Sequence, residues 1–174
     1  MKNLILIFLL VFFAPAAKAN ESCAAESLGL TKASSLSEVL FYTGTCHYRN
    51  KDYGNAVISW TKLAKLKNVD PKHAELQIDV LNNLGYMMFF GYGIDADQNK
   101  AVSYWKKAVS LGHTESEYHL CHAYADKESS TYSPVKAKPH CRKALLIYAA
   151  IKERRPGEET ILNQLKRYSR MIEN

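Results

Sequence analysis

Residues 81–112 read LNNLGYMMFFGYGIDADQNKAVSYWKKAVSLG, and the fold is decided by this stretch. Leu81, Leu84 and Met88 recur at helical spacing and put apolar side chains on one face. Ala101, Tyr104, Trp105, Ala108 and Leu111 do the same further on. Between the two runs, Gly91-Tyr92-Gly93-Ile94 breaks the period, because glycine is costly inside a helix and accepts positive φ freely. Asp97 is placed to cap the second helix and Gly112 to stop it. The stretch predicts two short amphipathic helices joined by a glycine-containing turn.

This pattern resembles a Sel1-like repeat, a subclass of the tetratricopeptide superfamily. The resemblance is carried by Leu84-Gly85, Gly91-x-Gly93-Ile94, Asp95 and Asp97, Lys100-Ala101, Trp105, Lys107-Ala108 and Gly112. Met88 departs from it, standing where the family usually has tyrosine. One helix pair cannot bury its own apolar face, so further copies are expected. Downstream, Leu120-Cys121, Ala137, Cys141 and Lys143-Ala144 follow their counterparts in the central unit by 36 residues. Upstream, Gly44, Ala56 and Trp60 are spaced by 12 and 16 residues, as in an ordinary tetratricopeptide repeat. Gly85, Ala101 and Trp105 are spaced by 16 and 20, so the central turn is four residues longer. The resemblance implies an all-α fold, a short α-solenoid of helix-turn-helix repeats. Three repeats are expected over residues 36–156, after an N-terminal segment at 20–35, with a C-terminal capping helix at 157–174.

The chain opens as a secretory signal does. Lys2 supplies the positive start, Leu4 to Phe13 an apolar run of ten, and Ala17-Lys18-Ala19 a small-x-small cleavage site. A membrane anchor is the alternative, but spanning needs about 20 apolar residues. Asn20-Glu21-Ser22 before Cys23 also lacks the small, apolar approach of a lipoprotein signal. Cleavage after Ala19 leaves 155 residues, enough for one domain with a real core. It lowers the formal charge from +6 to +4. The lysines are spread along the helices as a solvated face, which together with export argues against nucleic acid. No stable membrane insertion is expected after signal removal. The expected location is periplasmic, with secretion as the alternative.

Four cysteines, Cys23, Cys46, Cys121 and Cys141, follow the signal. An even count in an exported chain points to two disulfides, with three pairings open. The resemblance implies one choice. Cys121 takes the place of Gly85 and Cys141 that of Trp105, positions that face each other in the resembled fold. Cys23 is then left for Cys46.

Local signals mark the other elements. Ser35-x-x-Glu38 is a capping box for the first helix. The second is expected from about Tyr53 to Leu66, and Asp70-Pro71 reads as an N-cap with proline at N1 of the next. Pro134 suits a first turn, but Pro139 inside the same helix predicts a late start or a kink. Pro156-Gly157 is expected to stop that helix. A last helix over Glu158–Glu173 then turns Ile161, Leu162, Leu165, Tyr168 and Ile172 inward as a cap.

No nucleophile elbow, P-loop or HExxH motif occurs, and no catalytic residue is assigned. Glu158-Glu159 is explained by the helix macrodipole. Cys46-His47 and Cys121-His122 are adjacent, so their side chains diverge by about 100° on a helix and make no dyad. His119, His122 and His140 lie near Cys121 and Cys141, but exported cysteines usually oxidise and zinc sites normally show close CxxC pairs, so no metal and no cofactor are expected.

The resemblance implies instead a protein or peptide partner, held on a concave face lined by the first helix of each repeat. The family's groove positions fall on Phe41, Thr45, Tyr48 and Arg49, then Asn82, Tyr86, Phe89 and Phe90, then Tyr118, His122 and Asp126. The alternative for Phe89 and Phe90 is packing against the neighbouring repeat. Proteins of this kind resemble scaffolds in envelope assemblies, including flagellar motor accessory structures, or secreted factors that meet host proteins. An envelope hydrolase and a purely structural subunit that packs by its convex face are the competing readings.

Overall fold

The computed structural model describes residues 22–173. The expected signal, Met1–Ala19, lies outside the described residues. Among them, all extended regular structure is helical: α1 (Leu36–Arg49), α2 (Tyr53–Lys65), α3 (Ala74–Phe90), α4 (Gln98–Ser110), α5 (Ser116–Ala125), α6 (Pro134–Ala150) and α7 (Pro156–Glu173). Each helix packs on the next, α1 also touches α3, and α5 touches α7. Side chains of α3 reach α5 as well, with Tyr86 against His119 and Phe89 against His122. The odd-numbered helices thus stack as one layer with α2, α4 and α6 behind them, the arrangement of an α-solenoid. No described helix is long and apolar enough to cross a membrane.

The caps explain where several helices begin. Ser35 N–H donates to Glu38 Oε2 at 2.8 Å while Glu38 N–H donates to Ser35 Oγ at 3.2 Å, a reciprocal capping box. Asp97 Oδ1 accepts from Lys100 N–H at 2.9 Å and opens α4.

The first two repeats are closed by the same contact. A Cβ on Gly44 would come 2.5 Å from Trp60 Cδ1, and one on Gly85 would come 2.7 Å from Trp105 Cδ1. Only hydrogen fits under either indole. Trp60 Nε1–H donates to the Phe41 carbonyl at 3.4 Å, and Trp105 Nε1–H to the Asn82 carbonyl at 3.1 Å. Both carbonyls lie three residues before the glycine, where a second lone pair remains free beside the helical bond. In the third unit the glycine–indole contact is replaced by Cys121 and Cys141, paired at disulfide distance with a Cα–Cα separation of 4.6 Å. Cys23 and Cys46 form the other such pair and tie the N-terminal segment, with its short 3-10 turn at Glu26–Leu28, onto α1.

The longer central turn has a packing role. Gly91 and Gly93 sit at φ 73° and 68°, the left-handed region that glycine tolerates. Gly93 is also pressed against the start of α2, where a Cβ would come 2.6 Å from Gly54 N. The extra residues therefore clasp the second repeat onto the first.

Two groups of buried side chains share α3. Val80, Leu84 and Met87 pack with Ala56, Val57, Trp60 and Leu63, while Met88 and Phe89 join the core built by α4 to α7. Burial on two sides makes α3 apolar nearly all round, whereas α7 buries a single stripe, Leu162, Leu165 and Tyr168. That asymmetry separates an internal repeat helix from a cap.

Three local expectations are corrected. Asp70-Pro71 opens a 3-10 turn, Pro71–His73, and α3 begins only at Ala74. α6 begins at Pro134 and continues past Pro139, with no late start. Pro139 lies in the second turn, so its missing N–H removes a single bond near the helix end, and Ala137 N–H already bonds the Ser133 carbonyl at 2.9 Å. Finally, α6 stops at Ala150 rather than at Pro156-Gly157, and Pro156 becomes the first residue of α7.

Candidate functional site

The inner layer holds a cleft of about 350 Å³ between α1, α3 and α5. Phe41, Thr45 and Tyr48 line it from α1, Asn82, Asn83, Tyr86 and Met87 from α3, and Glu115 and His119 from the start of α5. Trp60 forms its floor from the layer behind. Rings run on from it along the same face. Tyr48 lies 5.7 Å from Trp60 and 5.6 Å from Tyr53, and Tyr53 lies 5.2 Å from Tyr92. Tyr92 and Phe90, both exposed, stand 5.8 and 4.9 Å from Tyr86. The result is a continuous aromatic strip across two repeats, partly open to solvent. Burial raises the pKa of Tyr48 and of Tyr86, so both phenols stay protonated at neutral pH.

Of the residues expected to bind, Phe41, Tyr48, Asn82 and Tyr86 come together in this cleft. The others are placed differently. Phe89 is 5% exposed and packs between Trp105 and His122, so its place is the core. Asn82 is 7% exposed; its side-chain oxygen accepts from Ser116 Oγ at 2.8 Å, which makes it a wall held in position. Phe90 is exposed but stands beside the cleft, and Arg49 is exposed on α1 outside it. Tyr118 and His122 face α7: Tyr118 OH donates to Gln164 Oε1 at 2.8 Å, and His122 Nδ1 lies 2.7 Å from Tyr168 OH. The cap thus covers the third expected set. Asp126, in that set, lies 4.0 Å from His122 Nε2.

Glu115, Asn83, His119, Trp60 and Met87 were missed. Glu115 precedes α5 by one residue, so a helical register does not count it. Trp60 belongs to the rear layer and reaches the cleft only because Gly44 lets its ring through. His119 stacks on Trp105 with centroids 4.9 Å apart and planes 11° apart, and no atom of the described residues hydrogen-bonds its ring. Burial above all, with His122 and His113 nearby, pushes its pKa down to about 3, so the imidazole is neutral at ordinary pH.

That shift carries a stability signature. Below pH 6.5, its ordinary value, the unfolded chain binds a proton at His119 that the folded chain refuses until about pH 3. The contribution of neutral His119 is complete above pH 6.5 and declines as pH falls through that window. His119→Phe keeps the stack and removes the titration. Urea midpoints of the variant should therefore fall less between pH 7 and about pH 4.5 than those of the parent. Equal declines would exclude His119 as the source.

The remaining titratable groups are engaged structurally. His140 and Lys143 reach the buried Glu117 at 2.5 and 3.2 Å. No group of three or more His, Cys, Asp or Glu side chains among the described residues converges as a metal site. Ser116 Oγ lies 3.0 Å from His113 Nδ1, and His113 Nε2 lies 3.5 Å from Asp79 Oδ1, an order found in hydrolases. Ser116 is fully buried and its hydroxyl already donates to Asn82, so no substrate carbonyl can approach it. The trio locks the start of α5 against α3.

Fold and cleft together define a helical-repeat protein with an open cleft on its inner layer. The model of the Sel1 repeat matches residues 78–113, the central unit from the second turn of α3 through α4 to His113, and the chain carries a Sel1 repeat. No curated protein matches the chain. No solved structure matches it. Sel1 repeats generally mediate protein–protein interaction, and repeats of this type are typically non-catalytic.

Proposed function

We propose that this chain is an exported adaptor that holds another protein on its inner face, as a scaffold within an envelope assembly such as a flagellar motor accessory structure. The observation that carries the binding reading is the aromatic strip from Tyr48 to Phe90, half open beside the cleft. Partly exposed aromatic rings on a rigid base are the side chains that dominate binding energy at interfaces. Two cysteine pairs at disulfide distance favour an oxidising compartment, and hence the periplasm.

Tyr86→Ala tests the reading. Tyr86 is half-buried at the centre of the strip, and no described protein atom hydrogen-bonds its hydroxyl. Removing it should weaken partner capture by about 1–3 kcal/mol while leaving helicity nearly unchanged. The measurement is crosslinking of the tagged chain in its native cells, with the crosslinked partner then purified and titrated against both forms. Full affinity in a folded Tyr86→Ala variant would move the interface to the convex face.

A further inference from the structure

We propose that the cleft between α1, α3 and α5 takes the guanidinium group of an arginine in an extended segment of the partner protein. The inference rests on the inner-face reading above and adds the chemistry of what is recognised.

The cleft carries a charge pattern that selects among ligands. Among the described residues its walls contain one acidic side chain, Glu115, although the chain as a whole has a formal charge of +6. Glu115 is exposed at the mouth and makes no ion pair or side-chain hydrogen bond among the described residues. No lysine or arginine lines the cleft. Its neutral polar groups, the amides of Asn82 and Asn83, the phenols of Tyr48 and Tyr86, Thr45 and His119, all include acceptor atoms. Thr45 Oγ1 donates its proton to the Phe41 carbonyl at 2.8 Å, which leaves its lone pairs toward a ligand. The imidazole of His119 has no hydrogen-bond partner among the described residues and stays neutral, so it neither repels a cation nor lacks an acceptor nitrogen. The apolar walls include the rings of Phe41, Tyr48 and Tyr86, with the buried Trp60 beneath them, and aromatic rings attract cations through their quadrupole.

An anionic segment would meet Glu115 and electron-rich rings with no cation among the lining residues, so it is disfavoured. A purely apolar side chain would make no use of the Glu115 carboxylate or of the acceptor atoms on Thr45 and His119. Arginine suits the site better than lysine: its flat guanidinium stacks on rings, is weakly hydrated, and offers five N–H donors to these acceptors.

The test uses the purified protein and four peptides of sequence acetyl-Gly-Ser-Leu-X-Leu-Ser-Gly-amide carrying a fluorophore, with X as arginine, citrulline, lysine or glutamate. Citrulline keeps the shape of arginine and removes its charge. The arginine peptide should bind at least tenfold more tightly than the citrulline peptide, and more tightly than those with lysine or glutamate. Glu115→Gln should shrink the arginine–citrulline ratio to under threefold without lowering the melting temperature by more than a few degrees. Equal binding of arginine and citrulline peptides, both lost in Tyr86→Ala, would overturn the cationic inference and leave the inner-face reading standing. Tighter binding of the glutamate peptide, or no binding of any peptide, would also overturn it. Failure of the inner-face reading itself would show separately, as full partner affinity in Tyr86→Ala.

Discussion

Trp105→Ala should cost about 3–5 kcal/mol of unfolding free energy, the largest single-residue loss expected in this chain. Trp105 is fully buried, and its indole fills the space that Gly85 leaves open between α3 and α4. Deleting it removes the Nε1–H bond to the Asn82 carbonyl, the contact with Phe89 at 5.4 Å and the platform under His119. The glycine backbone opposite cannot supply atoms to refill the void, so most of the cavity term should persist. Chemical denaturation followed by circular dichroism measures it. A loss under about 1.5 kcal/mol would mean that the helix pair is held by other contacts. The effect should reach the cleft too, since His119 is one of its walls.

The repeat architecture was legible because it rests on a few residues with steric meaning. A glycine that must accept an indole, an alanine at a helix crossing and a closing Gly112 leave fixed offsets that survive in a single sequence. The shift of Gly85, Ala101 and Trp105 by 36 residues onto Cys121, Ala137 and Cys141, taken with a resembled fold in which the first and last of these positions face each other, implied the cysteine pairing that the structure holds. Helix ends were read less well. Pro139 was expected to disturb α6, but a proline in the second turn forfeits only one bond, and packing of Ala137, Cys141 and Ala144 outweighs it. Pro156 looks the same in sequence whether it stops one helix or starts the next. Only the packing of Leu162, Leu165 and Tyr168 on the last repeat separates the two.

The inner face was half legible. Register placed Phe41, Tyr48, Asn82 and Tyr86 on it, since odd-numbered helices repeat their orientation from unit to unit. It failed at Phe89 because α3 is buried on two sides, so a helical position one residue from the groove already lies in the core. It failed at Tyr118 and His122 because α7 stacks on α5 as a further inner helix and covers their tips. Glu115 and Tyr92 lie in turns, where no periodicity applies.

Replacing both Cys121 and Cys141 by alanine should destabilise the protein by about 3 kcal/mol, the entropic value for a closed loop of this size. The pair is separated by 20 residues, and both sulfurs lie in the core with no exposed surface. The other units hold their helices with a tryptophan over a glycine, but the third has no indole to fall back on. Losing the bond therefore leaves α5 and α6 with small side chains, Ala137 and Ala144, at their crossing. The Cys23–Cys46 pair has a similar separation of 23 residues, yet it fastens a segment with one short 3-10 turn and no buried residue. Its removal should free that segment locally and lower the midpoint for the solenoid by less than half as much. Urea titrations of the two double-alanine variants under non-reducing conditions decide the matter. Equal losses would mean that the third unit is no more dependent on its bond than the N-terminal segment is. The expected inequality has a functional consequence. Opening of α5 and α6 would also release the ties from Tyr118 and His122 to α7, and would remove Glu115 and His119 from the cleft. Partner binding should then be lost in the Cys121 and Cys141 variant at temperatures where the first two repeats remain helical, and it should be retained in the variant lacking Cys23 and Cys46.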